Sequence, residues 1–200
     1  VLKVLDGKDI STKTLFEPLT NNFSVQLPGS RAKRYDLEND IVILDESYNA
    51  GLESMIAALN LLVETPGKRH IAVLGTMKEL GDKSVLFHEQ VGNVVRNLNI
   101  DGLFVLADFE EAKAMAEGAA GLQFIRVENI TADDAHHNLA RHLEEFLRAG
   151  DRVLFKASNA VKLNKVVGLL VKAFRCRGLQ IRIIRDKTHM VGIWVLALYR

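Results

Sequence analysis

The sequence predicts an α/β fold, a doubly wound and mostly parallel sheet with helices on both faces. Two observations predict it. Five short apolar runs recur through the centre of the chain. Between them, apolar residues fall at the i, i+3, i+4, i+7 spacing of one helix face. Strand–helix repetition on this scale favours parallel strands joined by right-handed crossovers.

The elements follow in order. Ile41–Leu44 is the first run, and Leu52, Met55, Ile56, Leu59, Leu62 and Val63 form the stripe of the helix behind it. Thr65-Pro66-Gly67 stops that helix. His70–Gly75 is the second run. A polar stretch from Thr76 to Ser84 leads to a helix striped by Val85, His88, Val91, Val95 and Leu98. Gly102–Ala107 is the third run, with an Ala/Glu-rich helix over 109–118. Leu122–Val127 is the fourth. Thr131-Ala-Asp-Asp134 is an expected N-cap with acids in the first turn, and its helix is expected to reach Ala149-Gly150. Arg152–Lys156 is the fifth run. A last helix carries Leu163, Val166, Val167, Leu170 and Phe174 and is expected to end there.

The ends differ from this core. Residues 1–38 hold a short apolar start, an expected helix near Ser11–Leu19 and a loop with Pro28-Gly29. Residues 175–200 carry six basic residues and one acid. Two readings of that tail stand. Gln180–Arg185 alternates as an edge strand would, or the stretch is foreign to the fold. The chain begins mid-pattern, without Met, and is expected to be a piece of a longer protein.

Composition narrows the function. Hydrophobic residues make up 48% of the 200, enough for a packed core. The formal net charge of +1 lacks the basic excess that phosphate-backbone binding needs, so no nucleic-acid partner is expected. A spanning helix takes roughly 20 apolar residues, and the longest run is far shorter, so no membrane partner is expected. Cys176 is the single cysteine, which excludes an internal disulfide and fits a reducing compartment. The six histidines show no zinc-type spacing with a third ligand, so no metal site is expected. There is no Gly-x-Ser-x-Gly elbow.

In an open α/β sheet, ligands gather beyond the C-terminal strand ends. Three such loops are polar: Asp45–Ala50, Gly75–Gly81 and Lys156–Asn159. The first offers two carboxylates and an amide, suited to a ribose or a metal, or simply to an Asx turn and a helix cap. The second is neither G-x-G-x-x-G nor a P-loop. The third sets Lys156 before a helix start, which makes either an anion site or a solvated lysine with Ser158 as an ordinary cap. His88, on its apolar stripe, reads as a packed histidine with both nitrogens satisfied.

Longer strings are more specific. Leu44-Asp-Glu-Ser-Tyr-Asn-Ala50, with Glu53-Ser54-Met55 and Ala57-Ala58-Leu59 behind it, resembles the D-D-x-Y-N-A-N-P-x-S-M-x-A-A-L signature of the Mur ligases. Ala72-Val-Leu-Gly-Thr-Met-Lys-Glu-Leu-Gly81, then Ser84, His88 and Val91-Gly92, resembles that family's A-V-L-G-D-M-x-E-L-G-x-x-S-x-x-x-H-x-x-V-G. Lys156-Ala-Ser-Asn159 resembles its K-G-S-R, and Pro28-Gly-Ser-Arg31 the turn that closes its ATPase domain. The variants look most like a cyanobacterial or chloroplast branch.

The resemblance implies the C-terminal, Rossmann-like lid of an ATP-dependent ligase. The matching branch adds D-alanyl-D-alanine to UDP-N-acetylmuramoyl-tripeptide in peptidoglycan precursor synthesis. Residues 1–38 would then end the central ATPase domain and its hinge, 39–174 would be the lid, and 175–200 a basic tail. ATP and Mg²⁺ are the implied cofactors, held mainly by a central domain whose G-x-N-G-K-T loop is not in this sequence. By itself the chain is therefore expected to be non-catalytic, with no catalytic residue of its own. Arg31, Glu46, Tyr48 and Asn49 are implied in ATP binding, and Lys156 and Ser158 in holding the dipeptide carboxylate. Glu46, Gly51-Leu52, Thr76, Ala157 and Asn159 depart from the family strings. The implied state is a monomer in the cytoplasm, or in the plastid stroma for a plant source. Two other readings stand beside this one. One is a non-catalytic module for a small ligand or partner, derived from that lid. The other is a related ligase such as folylpolyglutamate synthase, against which the Tyr-Asn-Ala and Met-Lys-Glu-Leu-Gly strings argue.

Overall fold

The computed structural model describes residues 33–188, with side chains as far as Cys176. Its six strands are β1 (Lys33–Asp36), β2 (Val42–Glu46), β3 (Arg69–Gly75), β4 (Gly102–Ala107), β5 (Ile125–Asn129) and β6 (Asp151–Lys156). The helices are α1 (Leu52–Glu64), α2 (Ser84–Asn97), α3 (Phe109–Gly118), α4 (Ala135–Phe146) and α5 (Leu163–Thr188). The strands lie in the order β1-β2-β6-β3-β4-β5. All pairs are parallel except β1 with β2. The predicted doubly wound α/β class is the one observed.

Alternate residues of each central strand face opposite cores. Ile43, Ile71, Val73, Phe104, Leu106, Val153 and Phe155 meet α4 and α5. Ala72, Leu74, Leu103, Val105 and Leu154 meet α1, α2 and α3. Both faces of β3, β4 and β6 are buried, which explains why those runs are continuously apolar rather than alternating. Away from the site edge, Arg69 makes a two-pronged ion pair with the fully buried Asp151, at 2.9 and 2.6 Å. That pair ties β3 to β6 and meets no site residue.

Several boundaries depart from expectation. Strand β5 begins at Ile125 rather than Leu122, because Gly121 and Leu122 lie in the turn after α3. Helix α4 begins at Ala135, so Asp133 and Asp134 precede its first turn. Asp134 sits in the left-handed region without a side-chain cap bond, and Thr131 closes an Asx turn on Asn129 instead. The same helix stops at Phe146, short of Gly150. The sheet also takes in β1, ahead of the expected lid start at 39.

The edge-strand reading of 180–185 is corrected, since these residues continue α5 to Thr188. No proline interrupts the helix after Leu163, and extending a formed helix is far cheaper than starting a new element. The expected helix at 11–19, the loop at 28–29 and Arg31 lie outside the described residues.

Candidate functional site

Strand β6 inserts between β2 and β3, and this topology creates the site. The loops after β2 and β3 lead to α1 and α2 on one face, whereas the loop after β6 leads to α5 on the other. Chains leaving neighbouring parallel strands in opposite directions open a crevice at their C-terminal ends. The three polar loops singled out in the sequence converge there.

Across the β2–β6 register, Glu46 stands opposite Lys156. Lys156 is 4% exposed, and its ammonium donates to Glu46 Oε2 at 3.1 Å and to the Asn49 carbonyl at 3.2 Å. A solvated lysine is therefore not what forms. The residues implied for two different ligands, Glu46 and Lys156, are brought together as one ion pair. Tyr48 and Asn49 follow on the exposed part of the β2 loop, and Asn49 Oδ1 accepts the Ala50 amide. Asp45 turns inward, 2% exposed, and its carboxylate closes an Asx turn by accepting the Ser47 amide at 3.1 Å. The α1 cap is formed further on. Ser54 Oγ accepts the Gly51 amide and donates to the Gly51 carbonyl.

Ser158 is buried beside Lys156. It makes no cap bond to the short 3-10 turn at 159–161. Its Oγ instead accepts the Lys78 amide at 2.9 Å, and its own amide donates to the Thr76 carbonyl at 3.1 Å. The β3 and β6 loops are thus bonded to each other. With its oxygen accepting from Lys78, the Ser158 hydroxyl keeps its proton to donate.

A second braced pair lies one strand further along. Lys78 Nζ is 2.6 Å from Asp108 Oδ2, and the Thr76 hydroxyl donates to the same oxygen at 2.9 Å. The Lys78 ammonium, with the Thr76 bond adding to it, holds the Asp108 carboxyl below the usual range. Asp108 was not singled out in the sequence. The strand-end rule applied to the third run, which closes on Ala107-Asp108, would have found it.

His88 reaches into the same loop from α2. It is fully buried, accepts the Met77 amide on Nε2 at 2.9 Å, and bonds the Ser84 carbonyl through Nδ1 at 2.6 Å. The expectation of a packed histidine with both nitrogens satisfied holds. Burial pushes its pKa below the ordinary histidine value, which keeps the ring neutral.

An exposed aromatic ring, an amide and a carboxylate at one strand end suit the base and ribose of a nucleotide. The Glu46 carboxylate already faces a lysine, and among the described residues no three metal-ligating side chains cluster. This donor set is compatible with the base and ribose of a nucleotide and does not fit a primary Mg²⁺ site.

Comparison with known proteins identifies the family. The chain is 49% identical over 156 residues to the UDP-N-acetylmuramoyl-tripeptide–D-alanyl-D-alanine ligase of Synechocystis sp., covering 78% of this chain and 33% of that protein. It is 31% identical to the enzyme of the same name from Bacillus subtilis, covering 74% of this chain and 32% of that one. The chain thus spans about a third of the length of these relatives. Among solved structures, the MurF ligase of Thermotoga maritima in complex with ADP matches with a TM-score of 0.64 at 28% identity, over 82% of this chain and 37% of that one. A family model described as the Mur ligase, glutamate ligase domain matches residues 30–159. That match takes in all six strands of the sheet and all three loops of the crevice, and the chain belongs to the Mur ligase family.

Proposed function

We propose that this chain is the C-terminal, substrate-binding lid of an ATP-dependent ligase. The enzyme would join D-alanyl-D-alanine to UDP-N-acetylmuramoyl-tripeptide through an amide bond. The carrying observation is the crevice at the β2–β6–β3 switch point, where the matched family strings become one bonded network. The names of the relatives supply the substrate class.

Within that reading each loop has a role. Tyr48 and Asn49 would meet the adenosine of ATP, with Glu46 beside them, and Arg31 would reach the phosphates from the hinge. Lys156 and Ser158 would hold the dipeptide carboxylate, the ammonium through charge and the serine through its remaining proton. ATP, with Mg²⁺ held mainly by the central domain of the full enzyme, would supply the phosphoryl group that activates the tripeptide carboxylate. This chain contributes position, because binding the amine-bearing substrate beside the activated carboxyl makes the attack effectively unimolecular. The proposed setting is the cytoplasm, or the plastid stroma for a plant source, with the enzyme a monomer. No described helix is long and apolar enough to cross a membrane.

The test has two parts. Titrating the chain with D-alanyl-D-alanine should move the amide resonances of residues 76–79 and 156–158. Substituting the chain for the matching third of the Synechocystis ligase should give a hybrid that releases phosphate and forms the pentapeptide product. A folded hybrid that does neither, beside a chain that ignores the dipeptide, would leave the non-catalytic binding module as the better reading.

A further inference from the structure

We infer that His88 is a positioning residue for the dipeptide site. As a neutral imidazole it pins the loop after β3 so that the Ser158 hydroxyl presents its proton to the ligand. The inference rests on the function proposed above and assigns a role to a residue that touches no ligand.

The geometry runs through two successive amides. Strand β3 ends at Gly75, so the N–H groups of Met77 and Lys78 have no sheet partner. Each is taken by a side chain from a different element. Met77 N–H goes to His88 Nε2 of α2 at 2.9 Å, and Lys78 N–H goes to Ser158 Oγ after β6 at 2.9 Å. Met77 is itself 1% exposed, and a buried amide left without an acceptor is strongly unfavourable. These bonds fix the orientation of two consecutive peptide planes. If the first plane rotates, the second swings the Lys78 amide off Ser158. The serine oxygen then loses its donor and the hydroxyl is free to turn.

The chemistry requires an acceptor at Nε2. Nε2 takes an N–H, so the ring proton sits on Nδ1 and points at the Ser84 carbonyl, 2.6 Å away. An imidazolium carries protons on both nitrogens and would face the Met77 amide donor to donor. Burial resists that state. The charged groups acting on the ring are Glu111 and Asp108 at the start of α3 and Lys78 on the loop itself. An apolar residue would fill the same space but would orphan the amide. The hydrogen-bonding pattern, beyond packing, explains a histidine here.

Two substitutions separate positioning from packing. His88→Gln places a side-chain oxygen near the Nε2 position. His88→Asn keeps a donor near Nδ1 and leaves Met77 without an acceptor. Both variants lose some core packing and should melt lower than the wild type. D-alanyl-D-alanine affinity and hydrogen exchange at the Lys78 amide are then measured on the chain. In His88→Gln, affinity should stay within about threefold and exchange should be near wild type. In His88→Asn, affinity should fall about tenfold or more, and Lys78 exchange should rise by a similar factor. Each factor of ten corresponds to about 1.4 kcal/mol. Wild-type affinity should also fall as the pH drops below the ordinary histidine range, and the His88→Gln profile should be flatter.

If His88→Asn keeps wild-type affinity and Lys78 protection, the inference is overturned while the proposed function stands. If affinity in both variants simply tracks melting temperature, His88 is only a packing residue. A wild-type chain that does not bind the dipeptide defeats the proposed function, and the inference with it.

Discussion

Lys156 and Glu46 stand opposite each other on adjacent parallel strands, 3.1 Å apart, with the lysine almost wholly buried. The pair ties the end of β2 to the end of β6 at the crevice. Removing one partner strands the other. Glu46→Ala leaves a buried ammonium with only the Asn49 carbonyl and should destabilise the fold by about 3 kcal/mol. Lys156→Met combined with Glu46→Gln should cost much less, because no buried charge remains. Urea unfolding of Glu46→Gln alone, Lys156→Met alone and the double gives the coupling. An additive double variant would mean that the pair is not an energetic unit.

Glu79 is a strained residue on the loop after β3. Its backbone adopts the left-handed region, φ 66°, where a side chain is disfavoured by about 1 kcal/mol. Glu79→Gly removes that strain and should raise the melting temperature by about 2–4 °C. A fall in melting temperature would show that the Glu79 side chain contributes more than its backbone conformation costs.

Helices α2 and α3 approach backbone to backbone at Gly92 and Gly118. A methyl at Gly92 would run into the Met115 carbonyl oxygen, and one at Gly118 into that of Glu89. Neither obstacle is the end of a flexible side chain, so the helices themselves must part. Gly92→Ala or Gly118→Ala should each cost about 2–3 kcal/mol, read as a melting temperature lower by about 5–10 °C. Gly168→Ala is the control. Nothing obstructs a methyl there, and helix propensity favours alanine, so stability should rise slightly.

Burial of His88 makes stability depend on pH. Its folded pKa lies below its unfolded value of 6.5, so the unfolded chain binds the proton more readily. The stability gained is fully present above the unfolded value and is lost as pH falls towards the folded one. Asp108, held low by Lys78, acts in the same direction further into acid. Wild-type melting temperature should therefore drop on acidification through the histidine range, and His88→Gln should remove that part of the drop. An unchanged pH profile in His88→Gln would place the dependence on other groups.

The order of strands and helices was legible in the sequence because it rests on local periodicity. The stripe of Leu52, Met55, Leu59 and Leu62 needs no partner to be recognised, and the bonded state of His88 followed from its place on such a stripe. The three site loops were legible for the same reason, since each closes an apolar run. Their meeting was not. Glu46 and Lys156 lie 110 residues apart, and they pair only because β6 enters the sheet between β2 and β3. Periodicity reports which face of an element is buried and says nothing of which element covers it. Strand β1 and the Lys78–Asp108 pair were decided in the same way. An edge strand forms where a neighbour offers an open ladder, and an ion pair where two loops are brought within reach. Those are properties of the assembled sheet and its layers. The tertiary structure turned three recognisable loops into one crevice by setting the strand order that bonds them together.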